Sequence, residues 1–204
     1  MTSLTYLFDP LCGWCYGAAP ALHSLIDAGH AVALLPSGLF AAPGRTMDPG
    51  FAAYAWTADQ RIAGLTGQEF TERYRTDVLG RPGAPFDSGP ATLALTAIWL
   101  DQPDREPEAL AAIQRGRYVE GRDICDPDVL SAIVADLGLP DAAARARAPD
   151  DALRAATQQR VAAAQALLAR HGLNGVPALL IGTAQALPNG LLFGPRDALL
   201  AAVA

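Results

Sequence analysis

The chain has 204 residues, 51% of them hydrophobic, and a formal net charge of −6, so a single large core is within reach and a polyanionic partner is not favoured. Every basic residue is an arginine, no basic stripe forms, and no apolar run is long enough to span a bilayer, so neither nucleic acid nor membrane is expected as a partner. Three cysteines are too few for a disulfide scaffold. No basic stretch followed by an apolar one precedes the first strand, and a cytoplasmic location is the expectation.

The apolar run Leu4 to Phe8 reads as a buried strand, broken by Asp9-Pro10. From Cys12 the pattern turns helical, with Ala18, Leu22, Leu25 and Ile26 on one face and Gly29 as the stop. The motif Cys12-Gly13-Trp14-Cys15 therefore falls on the first helical turn. Free N–H groups and the helix dipole favour an anion there, so a thiolate at Cys12 is stabilised and becomes the nucleophile. Cys15, one turn deeper, is placed to attack a mixed disulfide on Cys12 and release the substrate. A zinc site would need further paired ligands, and Cys125, His23, His30 and His171 show no pairing pattern, so no metal is expected.

His30 to Leu35 reads as a second strand, parallel to the first. From about Pro49 to Pro149 the signals are helical. One helix runs from Asp48-Pro49 to Gly64. A second opens at Thr66-Gly67-Gln68-Glu69 and ends near Gly80. A third starts at Ser88-Gly89-Pro90 and uses Leu93, Ala97, Ile98 and Leu100 as its apolar face. A fourth covers Pro107 to Val119, and a fifth opens at Asp126-Pro127 and stops at Gly138. Asp150 to Arg170 is a long alanine-rich helix. Gly175 to Gly182 is a strand entered through Pro177, the one position where a buried strand tolerates proline. Ala184 to Pro188 with Gly190 to Phe193 suggests an antiparallel partner strand, and Pro195 to Val203 a closing helix. The order is β-α-β, helices, then α-β-β-α: an α/β domain (1–48 and 150–204) with an all-helical insertion (49–149).

Three features coincide: Cys12-Gly13-Trp14-Cys15 after the first strand, a helical block after the second, and Gly175-Val176-Pro177 before the third. Together they resemble the DsbA-like thioredoxin-fold family, and within it the cytoplasmic branch that includes FrnE-like proteins and 2-hydroxychromene-2-carboxylate isomerases. Tyr118 to Ile124 and Asp126 to Leu130 resemble a segment these families carry late in the insertion. The resemblance implies a thioredoxin-like fold with its helical insertion between the βαβ and ββα halves. It implies Cys12 as attacking and Cys15 as resolving cysteine, and Pro177 as the proline that is cis in such folds, holding the Val176 backbone beside the dithiol for pairing with substrate.

Gly13-Trp14 departs from the dipeptides of the best-known relatives. Trp14 shields the site or contacts substrate, or else acts as a lid over the core. Asp9 reads first as a helix cap and second as a proton acceptor for Cys15. Ser88 reads as a cap or as a cleft residue, His23 as packing or surface, and Cys125 as a small residue beside a helix start, with a third redox thiol as the weaker reading. The leading function is a thiol–disulfide oxidoreductase acting on protein or small-molecule thiols and disulfides. It needs no cofactor beyond the Cys12–Cys15 pair, with glutathione a candidate co-substrate. The alternatives are a glutathione-dependent isomerase or transferase, and a redox-sensing binding module.

Overall fold

A computed structural model describes residues 2–204. Its four-stranded sheet has the order β2-β1-β3-β4, with β1 (Ser3–Phe8) parallel to β2 (Ala31–Pro36) and antiparallel to β3 (Ala178–Ile181). The short β4 (Gln185–Ala186) completes it. Every residue of β1 after Ser3 is buried because helices cover both faces of the sheet. Leu4, Tyr6 and Phe8 point into the main core, and Leu7 into a smaller one with Leu180, Ala164 and Leu167.

The helices are α1 (Gly13–Gly17), α2 (Ala19–Asp27), α3 (Pro49–Thr66), α4 (Glu72–Tyr74), α5 (Gly89–Asp101), α6 (Glu106–Tyr118), α7 (Pro127–Asp136), α8 (Pro140–Arg147), α9 (Asp151–Arg170) and α10 (Arg196–Ala202). Aspartates cap three of the helix starts read from sequence: Asp48 Oδ1 accepts from the Phe51 N–H at 2.9 Å, Asp126 Oδ1 from Asp128 at 2.8 Å and Asp150 Oδ1 from Leu153 at 2.6 Å.

Several expectations need correction. The helix after Cys12 is broken at Ala18, because Pro20 has no N–H for the carbonyl one turn before it. That carbonyl, on Tyr16, accepts instead from Gln68 Nε2 at 3.0 Å. α3 runs past Gly64 to Thr66 and ends on Gly67, whose φ of +74° is the left-handed stop. The next helix starts not at Thr66 but at Thr71, whose hydroxyl accepts from Tyr74 N–H at 3.2 Å, and it widens into a π-turn over Arg75–Leu79. On α5 the buried face is Ala91, Ala94, Leu95, Ala97 and Ile98, while Leu100 is 41% exposed. α8 had no sequence signal: its buried residues are all alanines, Ala142, Ala143 and Ala146. Residues Asn189–Phe193 form a 3-10 turn rather than strand, since Pro188 cannot donate to the ladder.

Candidate active site

Cys12 takes the N-cap position of α1 in extended conformation, with Cys15 one turn along it. Both thiols are free, as is that of Cys125. Cys12 is 6% exposed and Cys15 2%, and burial, then the neighbouring Cys12, pushes the Cys15 thiol well above its ordinary pKa. Across the chain, the peptide bond Val176–Pro177 is cis, and the Cys12 Sγ donates to the Val176 carbonyl at 3.6 Å. The N-terminal strand–helix unit and the entry to β3 thus meet at one sulfur.

The helical block supplies the facing wall. The Tyr118 hydroxyl donates to the Leu11 carbonyl at 2.8 Å, fixing the backbone just before Cys12. Tyr118 also stacks on Tyr16 of α1 with ring centres 4.8 Å apart, and Phe70 and Tyr74 pack edge-on against Tyr118 at 5.0 Å each. Between Cys12 and this wall lies a cleft of ≈ 210 Å³, lined by Cys12, Trp14, Asp59, Tyr74, Arg117 and Val176, with the exposed Leu39 and Tyr54 at its rim.

Asp9 is fully buried and does not cap α1, whose N-cap is Cys12. Its Oδ1 accepts from Leu11 N–H at 2.9 Å; its Oδ2 accepts from Phe40 N–H at 3.0 Å and from the Ser88 hydroxyl at 2.8 Å. Asp9 therefore ties the Cys12 loop to the segment after β2 and to the start of α5. Burial raises its carboxyl pKa against the pull of those three bonds. Ser88 stands at the N-cap of α5 but spends its hydroxyl on Asp9; Asp87 Oδ1 accepts from Gly89 N–H instead, at 2.9 Å.

Trp14 is half-buried, edge-on to Phe193 with ring centres 5.2 Å apart, and separates the cleft from a second depression that reaches Pro177. Gly13 is the residue the packing constrains most. A Cβ there would stand 2.2 Å from Asp59 Oδ1 and 3.4 Å from Ile62 Cδ1. His23 is half-buried on α2, away from the cleft. Cys125 is buried beyond Arg117, and burial pushes its thiol up to about 11.

Two charged cleft residues were not anticipated. Asp59 of α3 is 5% exposed; its Oδ2 accepts from the Tyr74 hydroxyl at 2.9 Å, and burial raises its carboxyl pKa to about 7. Arg117 of α6 is 1% exposed, its guanidinium 5.4 Å from the Tyr74 ring centre, 5.8 Å from Phe86 and 5.7 Å from Tyr118. Each was visible as a charge on an apolar helical stripe: Ala55, Asp59 and Ile62 on α3, Leu110, Ile113 and Arg117 on α6.

Comparison with known proteins agrees with this architecture. The cytosolic disulfide reductase DsbM from Pseudomonas aeruginosa is 36% identical, covering 98% of this chain and 97% of that one with a TM-score of 0.85. The same protein with GSH aligns at 36% identity, over 98% of each chain, with a TM-score of 0.84. A 2-hydroxychromene-2-carboxylate isomerase aligns over 98% of this chain and 95% of that one with a TM-score of 0.64 at 14% identity, a likeness of fold alone. A search of the curated proteins gives no match. The DSBA-like thioredoxin domain matches residues 4–198, nearly the whole chain, and the protein belongs to that family of thiol–disulfide oxidoreductases.

Proposed function

We propose that the chain exchanges thiols for disulfides through the Cys12–Cys15 pair, with Cys12 as nucleophile and Cys15 as resolving thiol. The observation that carries this reading is the asymmetry of the pair. Cys12 opens on the cleft beside the Val176 carbonyl, while Cys15 lies beneath it, its thiol held protonated by burial. A substrate disulfide in the cleft meets Cys12 first. Cys12 displaces one substrate thiolate and forms a mixed disulfide. Cys15 then gives up its proton, attacks the Cys12 sulfur and releases the second thiolate. The Val176 backbone and the face of Trp14 are the substrate-contacting surfaces in this reading, with Gly13 leaving room for the Asp59 wall.

Glutathione is the small thiol we favour as co-substrate, supported by the similarity to DsbM, of which a structure with GSH exists. No metal or nucleotide takes part. We assign the chain to the cytoplasm, supported by the same similarity; among the described residues no helix is long and apolar enough to cross a membrane. Residues 49–149 are read as an inserted helical subdomain whose role is to wall the cleft.

Trapping tests the two roles. Cys15→Ser incubated with glutathione disulfide should accumulate a stable glutathione adduct on Cys12, seen by intact mass and peptide mapping. Cys12→Ser should accumulate none on Cys15. Equal adducts on both would reject the assignment of roles.

A further inference from the structure

Arg117 is a permanent cation at the inner wall of the cleft, and its charge is not matched by the protein around it. Among the described residues no carboxylate forms an ion pair with it. Its Nε is buried without a hydrogen-bond partner. The groups that act on it most are Tyr74, Tyr118, Cys125 and Asp59, with the Asp9 carboxyl also in range. Burial keeps the first three protonated, so none of them is an anion at neutral pH. The carboxyls near enough to act on it, Asp59 and Asp9, are both raised in pKa by burial, Asp59 to about 7, and both are already bonded elsewhere: Asp59 to Tyr74, and Asp9 to Leu11, Phe40 and Ser88. A buried charge without a partner is costly, and three aromatic rings hold this guanidinium in place while only partly offsetting that cost.

We propose that the Arg117 guanidinium is a binding subsite for a carboxylate carried by the small thiol or disulfide that reacts at Cys12. The inference rests on the oxidoreductase reading and narrows it: the cleft selects anionic thiol compounds over neutral or cationic ones. Glutathione, which carries two carboxylates, belongs to the selected class. The chain's net charge of −6 works the other way, so any preference for an anion has to arise locally.

The test uses three small symmetrical disulfides: dithiodipropionate, which is anionic, hydroxyethyl disulfide, which is neutral, and cystamine, which is cationic. Each oxidises the reduced protein in a single turnover. Cys12 and Cys15 together lose two electrons and two protons and become a disulfide; the reagent's S–S bond breaks and yields two molecules of its thiol. Each rate is divided by that of free mercaptoethanol with the same reagent, which removes intrinsic reactivity. For the wild type the normalised rates should fall in the order anionic, neutral, cationic. Arg117→Met should slow the anionic reagent roughly tenfold or more, the worth of one charge-assisted hydrogen bond, and change the neutral one by less than about twofold. Arg117→Lys, which keeps the charge, should retain most of the preference. Equal normalised rates for the wild type, or an equal loss on all three reagents in Arg117→Met, would overturn the subsite while leaving the dithiol function standing. A wild type that reacts with none of the three would overturn both.

Discussion

At the scale of single residues the site turns on Gly13 and Asp59. With a Cβ at Gly13 only 2.2 Å from Asp59 Oδ1, the smallest substitution must displace a buried carboxylate. Gly13→Ala should lose about 1–3 kcal/mol of stability in urea titrations. In an Asp59→Ala background the loss should shrink by at least about 1 kcal/mol, since the obstructing atom is gone. A cost that is the same in both backgrounds would mean that the contact is not what constrains position 13. Asp59 also links stability to pH. Its carboxyl titrates at about 7 in the folded chain against 3.8 for the ordinary side chain. Between those values the folded state keeps a proton that the unfolded state has released, so stability falls as pH rises through this window and levels off above it. The loss is on the order of 4 kcal/mol in total. Asp59→Asn removes this contribution, so the stability of the variant relative to wild type should climb from pH 4 to pH 8. Parallel stability curves would contradict the assignment.

At the scale of elements, one buried arginine joins parts that lie far apart in sequence. Arg160 of α9 pairs with Glu106 at the start of α6, donates to the Leu34 carbonyl of β2 at 2.7 Å and to the Thr96 hydroxyl of α5 at 3.2 Å, and lies 4.8 Å from the Trp99 ring centre. Arg160→Met strands a buried carboxylate and should cost about 3–5 kcal/mol, a fall in melting temperature of roughly 10 °C by circular dichroism. A fall of less than about 2 °C would show the pair to be dispensable. Local signals made much of this level legible in the sequence. Asp48, Asp126 and Asp150 mark their helix starts, and the apolar run of β1 marks a strand covered on both faces. What escaped has physical reasons. α8 buries only alanines, which leave no periodicity of large side chains. The break at Pro20 was legible in principle, but its acceptor partner, Gln68, lies 52 residues from Tyr16. Asp9 read as a cap because Asp so often caps; its real partners, Phe40 and Ser88, are brought to it only by the fold. Asp59, Tyr74 and Arg117 stood on helix faces whose mutual placement no single stretch encodes.

At the scale of the whole molecule, the sheet and the helical block meet at Cys12. The strand–helix unit gives the cysteine pair its place at the start of a helix, the cis Val176–Pro177 bond sets a carbonyl against Cys12, and Tyr118 on the helical block holds the preceding backbone. Cys125 sits outside this arrangement, its thiol pushed up to about 11 by burial. The measurement that tests the dithiol function most directly is the equilibrium of the Cys12–Cys15 pair against glutathione redox buffers, with the fractions of dithiol and disulfide quantified by thiol trapping and mass spectrometry. The expected result is one reversible two-electron transition that is lost in Cys12→Ser and unchanged in Cys125→Ser. A pair that forms no disulfide anywhere across the buffer range, or a transition that survives Cys12→Ser, would contradict it.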